Sequence, residues 1–200
     1  RVSQLRNWGI NFIQGDILDK DLITDLVKNS DIVIHLAGIT DVAYVKSEAA
    51  QNENEIKTVG EIGTKNIINA LTPDAKLIFP STHVVFEGFN EIKEELSEDE
   101  EPNPVLTYSV NKRNSEIDII NSNKQFIILR LGSVYGYSTD TMRMGIMPNL
   151  FSKIASQNGT IKLFGGGVQL KSLVNIKDVA RCFKFFEENN QDYKVLLLKD

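Results

Sequence analysis

The chain has 200 residues, 42% hydrophobic and 24% charged, with a net charge of −5, which suffices for one sizeable core or one core with a small lobe. Its acidic balance excludes the electrostatic footprint of a nucleic-acid or anionic-membrane binder, although a local basic pocket can still hold a phosphate. No apolar run approaches a membrane span, no charged-then-apolar leader opens the sequence, and the single Cys182 cannot close an internal disulfide, so the expected setting is the reducing cytoplasm.

Along the chain, short apolar strands alternate with longer helical stretches, the pattern of a parallel sheet covered by helices on both faces, a doubly wound α/β fold. Strands are expected at 11–14, 31–35, 76–79 and 126–129, with helices near 19–28, 47–71 and 107–121. The stretch from Glu91 to Glu101 holds six Glu and one Asp, is followed by Pro102 and Pro104, and reads as a solvated loop. After Leu131 the pattern loosens into Gly-, Ser- and Thr-rich segments. A helix near 146–157, a turn at Gly165–Gly167 and a helix near 177–188 follow, and a last apolar strand lies between Tyr193 and Asp200.

The chemistry concentrates at Tyr108 and Lys112, downstream of the strand that ends in Phe79, Pro80, Ser81 and Thr82. Four residues apart on a helix, a phenol and an ammonium are neighbours on one face. A free tyrosine titrates near about pH 10, and an adjacent cation favours the phenolate, which makes a usable base near neutrality. The pair alone is weakly specific, because a solvated helical turn has the same spacing. Other polar residues have structural readings: Asp16 as a helix cap, His35 as a core histidine, and Asp178 as the acidic residue of a helix start.

Several segments, in order, make the pair specific. They are Gly15-Asp16-Ile17, Val33 to Gly38, Gly63 to Asn66, Phe79 to Gly88, Ile128 to Gly136, and Leu173 to Asp178. Together they resemble the extended short-chain dehydrogenases/reductases that act on nucleotide sugars, the NAD-dependent epimerase/dehydratase family, over about residues 10–180. The resemblance implies an NAD(P)-binding Rossmann domain over 1–140, part of a substrate lobe over 141–172, and a return to the first domain over 173–200. It implies that Asp16 accepts a hydrogen bond from the adenine amine, with Ile17 against the ring. Leu36, Ala37 and Gly38 would let the backbone approach the cofactor. Tyr108 would exchange a proton with the sugar, Lys112 would hold the nicotinamide ribose, and Thr82 would orient the reacting oxygen. On the substrate side it implies His83, Ser133 and Lys171. NAD is the expected cofactor, with NADP open; a nucleotide sugar is the expected partner, and a homodimer is a family expectation.

The sequence also departs from the family. The Gly-x-x-Gly-x-x-Gly loop that cradles the pyrophosphate is absent, and Gly60/Gly63 only mimics its spacing inside a helical stretch. The expectation is a chain truncated at both ends, lacking the first strands of the fold. Gly60 and Ser133 each stand where many members have an Asn. The Asp-Glu pair that dehydratases carry after the threonine is replaced by His83-Val84, which disfavours dehydration. Epimerisation with a tyrosine base is the leading reading. An NAD(P)H-dependent nucleotide-sugar reductase is the alternative, favoured slightly by the segment from Ser81 to Gly88, and a non-catalytic cofactor-binding regulator is the reading from another class.

Overall fold

The computed structural model describes residues 2–40, 53–91, 93, 95–138, 144–168, 170–189 and 195–198. Four parallel strands form the main sheet in the order β1-β2-β3-β6: β1 (Ile32–Ile34), β2 (Lys76–Thr82), β3 (Gln125–Leu131) and β6 (Val195–Leu198). A second, two-stranded parallel sheet joins β4 (Ser133–Tyr135) to β5 (Leu173–Asn175). The helices are α1 (Val2–Asn7), α2 (Lys20–Val27), α3 (Gly63–Ala70), α4 (Thr107–Ile120), α5 (Met147–Ser156) and α6 (Ile176–Glu188). Residues 53–57 are also helical and enter α3 through a π-helical segment at Thr58–Ile62.

Parallel strands covered on both sides must be apolar on both faces, and the central pair shows why this sequence forms them. Leu77, Phe79 and Ile128 point to one face, where Val27 of α2, Ile67, Ile68 and Ala70 of α3, and Ile119 of α4 pack. Ile78, Ile127, Leu129 and Leu131 point to the other, against Val174, Val179 and Phe186 of β5 and α6. Each of the large side chains among these contributes about 1.5–3 kcal/mol where fully buried, so the β2–β3 ladder from Lys76↔Gln125 to Thr82↔Leu131 is the anchor of the fold. Lys76 adds a tie across the sheet by donating to the carbonyls of Phe186 and Asn189, both at 3.0 Å, at the carboxyl end of α6.

The sheet and the helices at 20–27, 107–120, 147–156 and 176–188 lie within a few residues of expectation. Residues 47–52 of the expected helix fall outside the described residues, as do 193–194 and 199–200 of the last strand. Asn11–Gln14 is a correction: it forms no strand, and Ile10, Phe12 and Ile13 stand exposed. A strand exists only by pairing, and among the described residues nothing pairs with this segment. The acidic run is a loop, as expected. It is solvated in part, yet Glu98 accepts from the β6 amide of Leu197 at 2.8 Å, and its carbonyl accepts from Arg130 at 3.2 Å. Lys93 pairs with Glu100, and Arg113 with Glu101.

Candidate active site

The carboxyl ends of the parallel strands and the first turns of the following helices build the site. In such sheets ligands bind at that edge. One pocket there is lined by His35, Leu36, Ala37 and Gly38 after β1, Gly60 and Thr64 of the helical wall, Phe79 of β2, and Tyr108, Asn111, Lys112 and Ser115 of α4. It gathers five of the residues singled out by sequence: Leu36, Ala37, Gly38, Tyr108 and Lys112. Leu36, Ala37 and Gly38 are exposed, and a Cβ on Gly38 would meet nothing within 4 Å, so the backbone there is open to a ligand.

Lys112 is fixed from β2. Its ammonium donates to the Pro80 carbonyl at 2.9 Å and stands 4.4 Å from the Phe79 ring centroid. Burial pulls its pKa down to about 8, against the opposing pull of Glu116, so it keeps its charge at neutral pH while being poised to lose it. One helical turn away, Tyr108 is half-buried at the pocket wall.

His35 bears out its core reading in its burial, though not in full satisfaction of its ring. It is buried, 2% exposed, and its Nε2 lies 3.0 Å from the Thr64 hydroxyl, which lies 3.4 Å from that of Ser115. Among the described residues its Nδ1 has no hydrogen-bond partner, so it is a core histidine only half satisfied, at the wall of the pocket. Burial first, and the Lys112 charge second, lower its pKa to about 4 and keep it neutral.

The remaining candidates lie outside that lining. Thr82 is buried at the end of β2, where its hydroxyl oxygen accepts from the Val84 amide at 3.3 Å, leaving its O–H proton to be donated. His83 Nδ1 donates to the Leu131 carbonyl at 2.9 Å, which fixes the tautomer and leaves Nε2 as an acceptor. Burial pulls the His83 pKa down, against the hydrogen bond to Leu131, and the Lys171 charge adds to the downward pull. Ser133, half-buried at the start of β4, donates its amide to the Ser172 carbonyl at 2.8 Å. Asp16 accepts from the Leu18 amide at 2.9 Å in an Asx-type turn, while Asp19 caps α2. The cap expected of Asp16 therefore belongs to Asp19.

Two residues missed at the sequence level hold these groups in place. The N-cap position of α4 is Leu106, which offers no side-chain acceptor. Glu87 supplies it, accepting from the amides of Val105 at 3.0 Å and Leu106 at 2.7 Å and from the Ser109 hydroxyl. The signal was a helix start with no Ser, Thr, Asp or Asn before it, which demands a cap from elsewhere. Asn66 of α3 donates to the Ile17 carbonyl at 3.0 Å and fixes the turn bearing Asp16.

The architecture and the Tyr/Lys helix beside an open strand end define a Rossmann-type short-chain dehydrogenase fold. The model of the NAD dependent epimerase/dehydratase family matches residues 1–196, and the chain belongs to that family of enzymes. It is 28% identical over 155 residues to a protein provisionally named low-salt glycan biosynthesis reductase Agl14 of Haloferax volcanii, covering 76% of this chain and 49% of that protein. It is 27% identical over 177 residues to a protein provisionally named UDP-glucose 4-epimerase of Methanocaldococcus jannaschii, covering 86% and 57%. The chain thus spans about half the length of the curated relatives it matches. Among solved structures, UDP-glucuronic acid 4-epimerase of Bacillus cereus in complex with UDP-glucuronic acid and NAD superposes with a TM-score of 0.78 at 25% identity, covering 99% of this chain and 64% of that one. UDP-glucose 4-epimerase of Thermotoga maritima shares the fold, with a TM-score of 0.78 at 19% identity, covering 95% and 62%.

The family is NAD-dependent, and the residues present fit the cofactor's reactive end. The open backbone at Leu36–Gly38, the buried Lys112 ammonium and the Nδ1 of His35, without a partner among the described residues, meet at one pocket. No helix among the described residues is long and apolar enough to cross a membrane.

Proposed function

We propose that the protein epimerises a nucleotide sugar, with Tyr108 as the base. The observation that carries this reading is that Tyr108 and Lys112 share one pocket with the open backbone of Leu36–Gly38. The nicotinamide of NAD, when bound, supplies the reversible redox chemistry at the sugar carbon. Tyr108 removes the proton from the sugar hydroxyl and returns it after the ketone has turned over. The Lys112 charge, held by Pro80, stabilises the phenolate and holds the nicotinamide ribose. Thr82 donates its hydroxyl proton to the reacting oxygen and orients it. His83, Ser133 and Lys171 form the substrate side, with Lys171 toward the diphosphate, and Asp16 and Ile17 take the adenine. We keep a substrate lobe over 141–172, and the free thiol of Cys182 accords with a cytoplasmic setting.

Support for the substrate class comes from the UDP-sugar epimerases among the relatives and structural neighbours. The reductase reading is favoured by the similarity to the glycan reductase and by the segment from Ser81 to Gly88. Denaturing the purified full-length gene product and identifying the released nucleotide by mass spectrometry separates the two. Retained NAD is expected of the epimerase. Net consumption of NADH or NADPH on adding nucleotide sugar would favour the reductase.

A further inference from the structure

Gly60 and Asn111 occupy one space. A Cβ on Gly60 would lie 1.9 Å from Oδ1, 2.6 Å from Cγ and 2.8 Å from Nδ2 of Asn111. The glycine is not there for backbone freedom: Gly60 is absent from the positive-φ residues, and glycine weakens a helix. What position 60 requires is the missing side chain. To admit one, Asn111 would have to turn its amide within a buried site and give up its bond to the opposite wall. It is 6% exposed, and its Nδ2 donates to the Lys57 carbonyl at 3.3 Å, at the entrance to the π-helical segment Thr58–Ile62. One turn further along the same face of α4, Asn114 donates to Glu61 at 3.1 Å. Two asparagines of α4 thus grip the π segment, and isolated π turns mark places where a helix is bent to a functional need. Gly60 and Asn111 both line the pocket that holds Tyr108 and Lys112.

We propose that Asn111 is a positioning residue: it locks the π-helical wall at Gly60 in register with the Tyr108 and Lys112 face of α4, and Gly60 is its obligatory counterpart. The inference rests on the reading of this pocket as the cofactor's, and it goes beyond that reading by assigning a role to a residue that carries none in the proton transfer. The asparagine amide enters the pocket wall from α4, and the helix opposite has given up its side chain to admit it. A side chain at position 60 displaces the Asn111 amide from this wall unless position 111 is small.

The test is a double-mutant cycle on the full-length gene product, with Gly60→Asn, Asn111→Ala and their combination, reading the NAD dissociation constant and the thermal midpoint of each. Contacting residues of this kind couple strongly, so Gly60→Asn alone is expected to weaken NAD binding more than about tenfold and Asn111→Ala about fivefold, with the double variant back within about threefold of wild type. Asn111→Asp, which keeps the shape but sets a carboxylate oxygen against the Lys57 carbonyl, is expected to weaken NAD binding at least as much as Asn111→Ala and to lower the thermal midpoint as well. Additive losses in the double variant, a double variant that fails to fold, or NAD affinity unchanged in Asn111→Ala would each overturn the proposal. A wild-type protein with no NAD affinity would overturn the cofactor reading instead. The thermal midpoints of the cycle would then still decide the lock, coupling supporting it and additivity refuting it.

Discussion

Lys112 reaches from α4 to β2 and donates to the carbonyl oxygen of Pro80 at 2.9 Å. This bond joins the helix that presents the phenol to the strand whose next residues are Ser81 and Thr82. It fixes the ammonium beside a half-buried Tyr108 and lets burial lower the lysine's pKa to about 8. In the unfolded chain the same lysine titrates near 10.5. Between these values the unfolded state binds more protons, so stability rises with pH from about 8 to 10.5. Lys112→Met should flatten that rise in urea-unfolding curves taken across the window, and should also lower turnover by about 10²-fold or more through the loss of phenolate stabilisation.

His35 gives a second window, on the acid side. Unfolded, it gains a proton as pH falls through 6.5; folded, it resists until about 4. Stability should therefore fall on acidification, by on the order of 2 kcal/mol between pH 7 and pH 5 from this residue alone. His35→Gln should lose that component. Denaturant midpoints of the two proteins at both pH values check it, and parallel declines would refute the assignment.

Glu87 caps α4 from outside, so its removal should loosen the helix where Tyr108 sits. Glu87→Ala leaves the Val105 and Leu106 amides without their acceptor and should cost about 1–2 kcal/mol. Glu87→Gln, which still presents an oxygen, should cost less. Chemical denaturation gives the first effect. Turnover of the two variants, compared at temperatures where both are folded, gives the effect on Tyr108.

Behind the site, Glu116 is fully buried and receives Arg130 through two bonds, at 3.1 and 2.9 Å, together with Arg113 at 3.1 Å and the Ser81 hydroxyl. Arg130→Met removes the principal partner and leaves a buried carboxylate, a change that costs about 3–5 kcal/mol in such settings. Arg113 keeps the loss toward the lower figure. Adding Glu116→Leu should recover most of it, because the penalty lies in the uncompensated charge. Thermal and urea unfolding of the single and double variants measure both steps.

The parts of this architecture legible in the sequence were those that local pattern dictates. The apolar runs at 76–79 and 126–129 are buried on both faces and allow one reading, and the Tyr108–Lys112 spacing carries its helix with it. Asn11–Gln14 misled because apolar character does not supply a pairing partner. Glu87 was invisible because it acts 18 and 19 residues away, on amides whose need appears only once Leu106 is seen at a helix start. Glu98 hid inside a run of like charges, where nothing local separates the carboxylate that meets the Leu197 amide from those in water. The lock between Gly60 and Asn111 spans two helices, and its sequence trace was only a glycine where a side chain was expected.

The most direct test of the central claim is turnover of wild type and Tyr108→Phe on a panel of UDP- and dTDP-sugars, using the full-length gene product with NAD and following the products by chromatography. The account predicts that wild type converts at least one sugar with no net consumption of nicotinamide, and that Tyr108→Phe binds NAD normally but loses about 10²–10⁴-fold in rate. Conversion by Tyr108→Phe within about threefold of wild type would contradict the claim, since general acid–base catalysis by the phenol is worth far more than that.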